Sequence, residues 1–451
     1  MISGLLQPAL LTFLVLLPLL INGYPIFFND SGAYLQAFTG MASFDHPLVD
    51  RPIFYSAYLY AFRTLFHTNA AAVLFQGVVF AYVATRCSRL GWQSGVRSWL
   101  PLFLILPFSY LAVMASTLMP DIWMPSALLA AYLIFNEPGP RKCFYFVVIA
   151  TSVAFAPANG VIIALSVAGF FAIVLIAKVR LPKKWINLCI VVLAVLFGQG
   201  AVSLSNHYAF KVYSPIVSGS AFLYATLTRE NLADDALSRE CAATGAGNSI
   251  CRDLPHYRNL SGNTLLWGEK WKRPIWNPEN QDFLSKVNRR ILAAHPAKAA
   301  AYFLKNSLTA LTLFPANLDQ LYSVKYNTVA GPATWLNNYG DMARFSQSMQ
   351  QTRRNVFGYL KLYRLLLGAL FLATIWLAIR NRLHANPAFL GFFVFGLLFT
   401  IANAAITGGL SLPDYRLNVR AVDIFVVMLF CLACGSNPSP SSQVGAETPQ
   451  A

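Results

Sequence analysis

Charged residues are scarce in this sequence: they make up 12% of its 451 residues, while 56% are hydrophobic. A soluble domain carries about 25% charged residues, which form the polar coat that it needs in water. This scarcity excludes a soluble enzyme, a disordered chain and a small secreted domain held by disulfides. The excess of 34 Lys and Arg over 18 Asp and Glu does not indicate nucleic-acid binding, because the basic residues lie between long apolar runs.

The motifs of several common enzyme classes are also missing. The sequence has no phosphate-binding loop, no HExxH motif and no GxSxG motif. The glycines of TGAGN at 244–248 lack the strand–turn–helix context of a dinucleotide site. With six histidines in all, a zinc centre has little support. A reaction catalysed by this chain therefore does not use a nucleotide-binding, zinc or GxSxG site.

Long apolar runs are what the sequence has instead. Because a helix that crosses a bilayer needs about 20 mostly apolar residues, we predict an all-α polytopic membrane protein with ten transmembrane helices. The aromatic segment 52–66 contains Arg63 and is predicted to be an interfacial helix in the first outer loop. The ten predicted spans are 5–21, 69–85, 99–115, 122–135, 144–156, 161–177, 186–205, 360–379, 388–407 and 421–434.

Lys and Arg cluster in alternate short loops, which fixes the predicted orientation. Basic residues are retained on the cytoplasmic side, so both termini are predicted to be cytoplasmic and the first loop, 22–68, to lie outside. We expect a bacterial inner membrane, because the chain is compact and has no retrieval signal. The predicted parts are an N-terminal membrane module at 1–205, a periplasmic segment at 206–359, a C-terminal membrane module at 360–435 and a disordered tail at 436–451.

The periplasmic segment is predicted to form a small α-rich domain. Apolar residues recur at helical spacing within 281–292. A second helical stretch, 296–314, carries Lys298 and Lys305 and either lies on the membrane surface or dips into it. Cys241 and Cys251 are predicted to form a disulfide, because this compartment is oxidising.

Ionisable residues gather at the predicted outer boundaries of the spans. Asp30 follows the first span, Arg51 opens the interfacial segment and Asp121 precedes the fourth span. Arg416 and Arg420 precede the last span and, four residues apart, share one face of a helix. Two arginines at an outer boundary run against the orientation rule, which favours binding of an anion such as a lipid phosphate.

Each of these residues also has a simpler structural interpretation. Asp30 and Asp121 precede helical sequence, where aspartate is a favoured N-cap. Arg51 and Arg416 are placed where arginines anchor spans at the headgroups. Asp423, three residues after Arg420, is available as a plain ion-pair partner on the same helix.

The order of these residues resembles the GT-C superfamily of membrane glycosyltransferases, which includes the lipid A aminoarabinose transferases and the protein O-mannosyltransferases. The resemblance covers the N-terminal third best, and a late outer arginine, Arg416 or Arg420, fits less specifically. Three elements carry it: Asp30 in the first outer loop, the Arg-Pro-x-x-Tyr run of Arg51, Pro52 and Tyr55, and the Pro-Asp turn of Pro120 and Asp121.

The sequence departs from that family pattern in three places. Ile53 stands where the family usually has a second proline, and Asp30 stands alone rather than in an Asp-Glu pair. The large outer segment lies between the seventh and eighth predicted spans, whereas many members have their soluble domain after the last span. These departures concern the subfamily and the acceptor more than the superfamily.

The resemblance implies that a sugar moves from a polyprenyl-phosphate donor to a glycan, lipid or protein acceptor at the outer face, with inversion. Such a transfer needs a base for the acceptor hydroxyl, which we assign to Asp30. Asp121 is expected to orient the acceptor, Asp30 or a divalent cation, the one cofactor to consider. Arg416 and Arg420, together with Arg51, are expected to bind the donor phosphate. Tyr55 and Tyr58 are expected to border the sugar pocket.

Other classes of membrane protein are alternatives. An O-antigen-type polysaccharide polymerase or ligase would rely on basic residues of the outer segment, namely Arg252, His256, Arg258 and His295. A lipid-linked sugar transporter or flippase would place ionisable residues deep within spans, or paired broken helices at the midplane. A structural membrane subunit is a fourth reading.

Overall fold

The structure is a computed structural model of the chain. In the part that it describes, the elements are helices, apart from one isolated β-bridge between Ile26 and Thr117. The predicted tail, His256 and Arg258 lie outside that part, as does the side chain of Arg416. The described residues are 2–28, 30–35, 51–91, 100–179, 183–228, 232–254, 257, 262–267, 274–312, 341–352, 357–381, 383, 386–410 and 415–435.

Among the described residues, six helices are long and apolar enough to cross a membrane. Each coincides with one of the ten spans predicted from the sequence, so the coarser prediction of an all-α integral membrane protein is confirmed. The six stretches are Ala70–Ser88, Ala158–Ile176, Lys184–Phe210, Leu360–Arg380, Pro387–Gly409 and Leu417–Cys434. The last of them belongs to the helix Tyr415–Gly435, called the last helix below.

The four other predicted spans lie on shorter or interrupted helices. Proline accounts for one interruption: a 3₁₀ turn, Leu106–Phe108, contains Pro107, which cannot donate a backbone hydrogen bond. The helix then restarts because the Ser109 hydroxyl caps it, accepting the backbone N–H of Ala112 at 3.3 Å. These helices are Ile2–Val15 with Leu17–Asn22, Leu100–Ile105 with Tyr110–Ala115, Trp123–Asn136, and Lys142–Phe155.

The helix Trp123–Asn136 lies at the centre of the membrane part. Its side chains from Trp123 to Phe135 are all buried, and it packs between the helices Ala70–Ser88 and Lys142–Phe155. A helix that is hydrophobic on every side is stable only where protein or lipid surrounds it. Its two ends carry different charged residues, Asp121 before the first and Glu137 after the second.

A second, smaller apolar core lies in the segment between the two membrane modules. The predicted helical stretch 281–292 falls within Pro278–Ala294, and its apolar positions are buried. Cys241 and Cys251, the predicted pair, are joined by a disulfide with their Cα atoms 5.2 Å apart. The helices of this central unit are Gly219–Thr228, Asp234–Thr244, Ser249–Arg252, Gly262–Trp267 and Pro278–Ala294.

Short helices flank the membrane part. Ile53–Phe66, the predicted interfacial helix, ends at His67, which adopts a left-handed conformation with φ of 54°. Met342–Gln347 and Met349–Thr352 follow the central unit.

The last helix is fixed in the bundle by a buried carboxylate, Asp423. Its Oδ2 accepts the backbone N–H of Leu111 at 3.1 Å, and its Oδ1 accepts the Tyr363 hydroxyl. A carboxylate is favoured at a helix N-terminus, where the first N–H groups have no partner within the helix. Asp423 thus connects three helices, a role that the sequence interpretation as an ion-pair partner on its own helix did not include.

The helix Pro296–Thr312 packs closely against the end of the span Pro387–Gly409. That span finishes in a π-helical turn, Ala405–Gly409. A Cβ atom built on Gly408 would lie 2.5 Å from the Cβ of Ala310, and one on Gly409 would lie 2.7 Å from the Ser307 hydroxyl. Only glycine permits this approach, since real Cβ atoms keep larger distances.

We therefore expect Gly408→Ala to destabilise the protein by about 1–3 kcal/mol, the usual cost of overpacking. Gly368→Ala is the matched control, because a Cβ at Gly368 meets no atom within 4 Å. Alanine at that position restricts the unfolded chain more than glycine does, so the free energy of unfolding should be unchanged or higher by about 0.5–1 kcal/mol. Unfolding titrations in mixed detergent micelles measure both. Equal stability of the two variants would contradict the close packing.

Candidate functional site

Two chain segments that carry predicted site residues are joined directly by backbone hydrogen bonds. The Ile26 N–H donates to the Ser116 carbonyl at 2.9 Å, and the Leu118 N–H donates to the Ile26 carbonyl at 3.0 Å. Gln350 secures the neighbouring residue, because its side-chain amide bonds both the N–H and the carbonyl of Phe27, at 3.0 and 2.6 Å. This bridge holds the loop that leads to Asp30 against the turn that leads to Asp121.

Asp30 forms an ion pair with Arg51. The Arg51 Nη2 lies 2.8 Å from the Asp30 Oδ1, and the two side chains are 10% and 27% exposed respectively. The Arg51 guanidinium also lies 5.6 Å from the centre of the Tyr34 ring, within the range of a cation–π contact. This pair therefore reaches solvent, mainly through the carboxylate.

Asp121 forms a second ion pair, with Arg420 of the last helix. The Arg420 Nη1 lies 3.3 Å from the Asp121 Oδ1, and the side chains are 5% and 6% exposed. Arg420 also donates to the Leu417 carbonyl at 3.2 Å and to the Asn159 side chain at 3.5 Å. Asp121 lies in the 3₁₀ turn Pro120–Ile122, one residue before the N-cap position of the following helix. The structure thus places it in a buried ion pair rather than at a helix cap.

An aromatic cluster lies between the two ion pairs. Tyr55 packs edge-to-face against Tyr34 at 5.1 Å and stacks on Tyr58 at 5.6 Å. Phe155 packs against both Tyr55 and Tyr58, each at 5.2 Å, and against Trp123 at 5.1 Å. The cluster therefore runs from Tyr34, beside Arg51, to Trp123, two residues after Asp121.

The charge of Asp121 reaches into this cluster. Burial raises the pKa of the Tyr55 hydroxyl well above its ordinary value, and, after the neighbouring tyrosines, the Asp121 carboxylate raises it further. Tyr55 therefore stays protonated and can act only as a neutral donor or acceptor. The two ion pairs and the cluster belong to one neighbourhood, which five separate chain segments build.

The hydroxyls of Tyr55 and Tyr58 are engaged within the protein. Tyr55 donates to the Gln76 side chain at 3.3 Å, and Tyr58 donates to the Ala72 carbonyl. Gln76 in turn donates to the carbonyls of Ala115 and Thr117, at 3.0 and 2.8 Å. Tyr55 is fully buried. These tyrosines therefore form part of the packed wall of the site, and their role at the border of a sugar pocket stays a prediction.

A separate buried network ties the interfacial helix to the chain that returns from the central unit. The Asp341 carboxylate lies 2.7 Å from the Arg63 guanidinium. It also accepts the Asn69 amide at 2.8 Å and the Tyr24 hydroxyl at 3.1 Å. The sequence interpretation missed Asp341, which lies in the charge-rich long segment. It also missed Gln76, although a glutamine within an apolar span is a detectable signal.

Four residues were candidates for the alternative polymerase or ligase function, and the structure describes two of them. Arg252 is exposed and His295 half-buried, both in or next to helices of the central unit. Among the described residues, no group of three or more His, Cys, Asp and Glu side chains is arranged to hold a metal ion. Because Asp30 and Asp121 each have an arginine partner, a divalent cation at either carboxylate would have to displace a guanidinium.

Comparison with known proteins gives no relative for this site. No protein-family model matches the chain, and neither a curated protein nor a solved structure is significantly similar to it. The interpretation of the site therefore rests on its own geometry and chemistry.

We expect a double-mutant cycle to show that Asp121 and Arg420 depend on each other. Arg420→Met leaves a buried carboxylate without its counter-charge and should cost about 3–5 kcal/mol. The double variant Arg420→Met, Asp121→Asn should recover a large part of that loss, because no unpaired charge remains. The free energies of unfolding come from titrations in mixed detergent micelles.

The control for this cycle is the pair between Arg290 and Glu240 in the central unit. It is a shorter contact, 2.6 Å, but its arginine is 50% exposed. Solvent screens such a pair, so Arg290→Met should cost at most about 1 kcal/mol. If Arg420→Met costs no more than Arg290→Met, the pair at the site does not contribute as a buried one.

Proposed function

We propose that the protein is a membrane glycosyltransferase of the GT-C type. It transfers a sugar, with inversion, from a polyprenyl-phosphate donor to a glycan, lipid or protein acceptor at the periplasmic face. One observation supports this most: a partly exposed Asp–Arg pair stands beside a buried Asp–Arg pair, at the same end of an apolar helix bundle. A reaction that moves a proton and stabilises a leaving phosphate needs both kinds of group at a membrane boundary.

The proposed topology has ten crossings, with the shorter and interrupted helices counted as spans. Ion pairs at the opposite end of the bundle support it. Glu137 pairs with Arg86 and, at 2.9 Å, with Arg141, and these residues belong to loops predicted to be cytoplasmic. Asp121 precedes the same helix that Glu137 follows. In this topology Asp30, Asp121 and Arg420 are periplasmic and both termini are cytoplasmic.

In the proposed mechanism the donor phosphate competes with Asp30 for the Arg51 guanidinium. Once Arg51 turns to the phosphate, the Asp30 carboxylate is free to accept the proton of the acceptor hydroxyl. The acceptor oxygen forms a bond to the anomeric carbon while the bond from that carbon to the phosphate oxygen breaks. The polyprenyl phosphate leaves with the electron pair, and Arg51 stabilises its charge.

Asp121 and Arg420 take a supporting role in this proposal. Their side chains are almost completely buried and paired with each other, so a phosphate would have to break a desolvated ion pair to reach Arg420. We therefore assign them to holding the last helix against the turn that carries Asp121. Arg416, one turn earlier on the last helix, remains a candidate for the phosphate, together with Arg51.

The base assignment is tested by Asp30→Asn. Proton transfer to a positioned carboxylate contributes about 10²–10⁴-fold to a rate, so turnover should fall by at least about 100-fold. The assay measures release of polyprenyl phosphate from a panel of polyprenyl-phosphate sugars in the presence of glycan, lipid and protein acceptors, with the purified protein in lipid nanodiscs. Asp235→Asn, at an exposed position of the central unit, is the control and should keep full turnover.

Two outcomes of that assay, and one of a vesicle assay, would count against the proposal. Turnover that survives Asp30→Asn removes Asp30 as the base. Turnover that instead depends on His295 indicates the polymerase or ligase class. In sealed proteoliposomes, movement of a lipid-linked sugar across the bilayer, with no release of polyprenyl phosphate, indicates a transporter or flippase.

The phosphate assignment is tested separately by Arg51→Ala. A hydrogen bond to a charged group contributes about 1.5–3 kcal/mol, so affinity for polyprenyl phosphate should fall by about 10- to 100-fold. Native mass spectrometry of the protein titrated with polyprenyl phosphate measures this affinity without turnover. Arg289→Ala, exposed on the helix Pro278–Ala294, is the matched control. Equal affinity of the two variants would remove Arg51 from the phosphate site.

A further inference from the structure

The helix Pro296–Thr312 has two apolar faces, of which one is packed against the membrane part. Ala299, near the start of the helix, is buried in the apolar core of the central unit, and Ala310 is buried on the face packed against the membrane part. That face contacts the π-helical turn Ala405–Gly409, where the two glycines allow the close approach described above. Close packing over small residues is typical of contacts between membrane helices.

The position of this helix along the bundle follows from its partners. It packs where the span Pro387–Gly409 ends, and the Asn418 side chain of the last helix donates to the Ala310 carbonyl. Asn418 lies two residues before Arg420. The helix therefore lies at the same end of the bundle as the candidate site, at the boundary of the apolar region.

The second face points away from the bundle and is exposed. Ala297, Ala301, Leu304 and Leu308 follow one another at helical spacing, and the two leucines are 61% and 53% exposed. Lys298 and Lys305, seven residues apart, lie beside this apolar stripe and are exposed as well. An apolar stripe bordered by lysines is the pattern of a helix embedded at a membrane interface.

The neighbouring span indicates what covers this stripe. On the span Pro387–Gly409, the side chains of Leu390, Leu397 and Ile401 share one exposed face. A face of this kind on a membrane-spanning helix contacts lipid acyl chains, because it has no other apolar environment. The helix that carries the Leu304 and Leu308 stripe packs on the end of that span, so the two exposed apolar faces belong to neighbouring helices.

We propose that Pro296–Thr312 is an interfacial membrane helix whose Leu304 and Leu308 side chains contact the acyl chains of the bilayer. Gly408 and Gly409 allow its inner face to pack closely on the end of the span Pro387–Gly409. The hydrogen bond from Asn418 connects it to the last helix close to Arg420. The proposal concerns a lipid-binding surface and does not depend on the transferase activity.

The test uses a fluorophore whose environment can be probed from lipid and from water. Single cysteines at Leu304→Cys and Leu308→Cys are labelled with nitrobenzoxadiazole in the full chain, in nanodiscs of phosphatidylethanolamine and phosphatidylglycerol. The accessible native thiols are first replaced by Cys143→Ser, Cys189→Ser and Cys434→Ser. We expect a blue-shifted emission, quenching by lipids with a doxyl group high on the acyl chain, and loss of quenching by aqueous iodide.

Two control positions keep the test independent of expression or folding. Lys298→Cys on the edge of the same helix and Arg289→Cys on the central unit should be quenched by iodide and not by doxyl lipid. Iodide quenching at Leu304→Cys and Leu308→Cys equal to that at Arg289→Cys would overturn the proposal. Protection from both quenchers, with cross-linking between chains, would overturn it in favour of a second copy as the partner.

Discussion

Charge taken out of water has to be neutralised inside the protein, and in this apolar chain that requirement determines how the last helix sits. Arg420 meets the Asp121 carboxylate, and one turn later Asp423 meets a helix N-terminus and a tyrosine hydroxyl. Two charged residues on successive turns thus connect the last helix to partners more than 50 positions away in sequence. Displacement of that helix would leave a buried charge unpaired, so its position relative to Asp121 is fixed.

The same requirement separates the two ion pairs by role. An incoming ligand displaces one member of a buried ion pair only at a large cost in free energy, because breaking the pair leaves both charges unpaired in apolar surroundings. The pair of Asp30 and Arg51 is partly solvated, so an anionic group can exchange for the carboxylate at a smaller cost. The partly exposed pair of Asp30 and Arg51 is therefore the one that can exchange partners, and the buried pair of Asp121 and Arg420 stabilises the structure next to it. For the proposed transferase, this difference favours Asp30 and Arg51 as the reacting groups, and it favours a structural role for Arg420 rather than the phosphate contact predicted from the sequence.

The sequence predicted the parts of the site better than their pairing. In a chain with so few charges, Asp30, Arg51, Asp121 and Arg420 stood out at span boundaries, and the interfacial segment 52–66 matches the helix Ile53–Phe66. Which acid meets which arginine depends on tertiary packing between segments far apart in the chain. Asp341 was missed because charge is common in its long segment, so no contrast marked it.

The predicted periplasmic segment, 206–359, contacts the surroundings of the site at two places. The helix Pro296–Thr312 contacts the last helix through Asn418. Later in the segment, Asp341 forms an ion pair with Arg63 of the interfacial helix. Arg63 and Arg51 lie on the same short stretch of chain, and Asn418 lies two residues from Arg420. A shift of this segment would therefore be transmitted to both arginines of the site, Arg51 and Arg420. The segment between the two predicted membrane modules is in this sense structurally connected to the site.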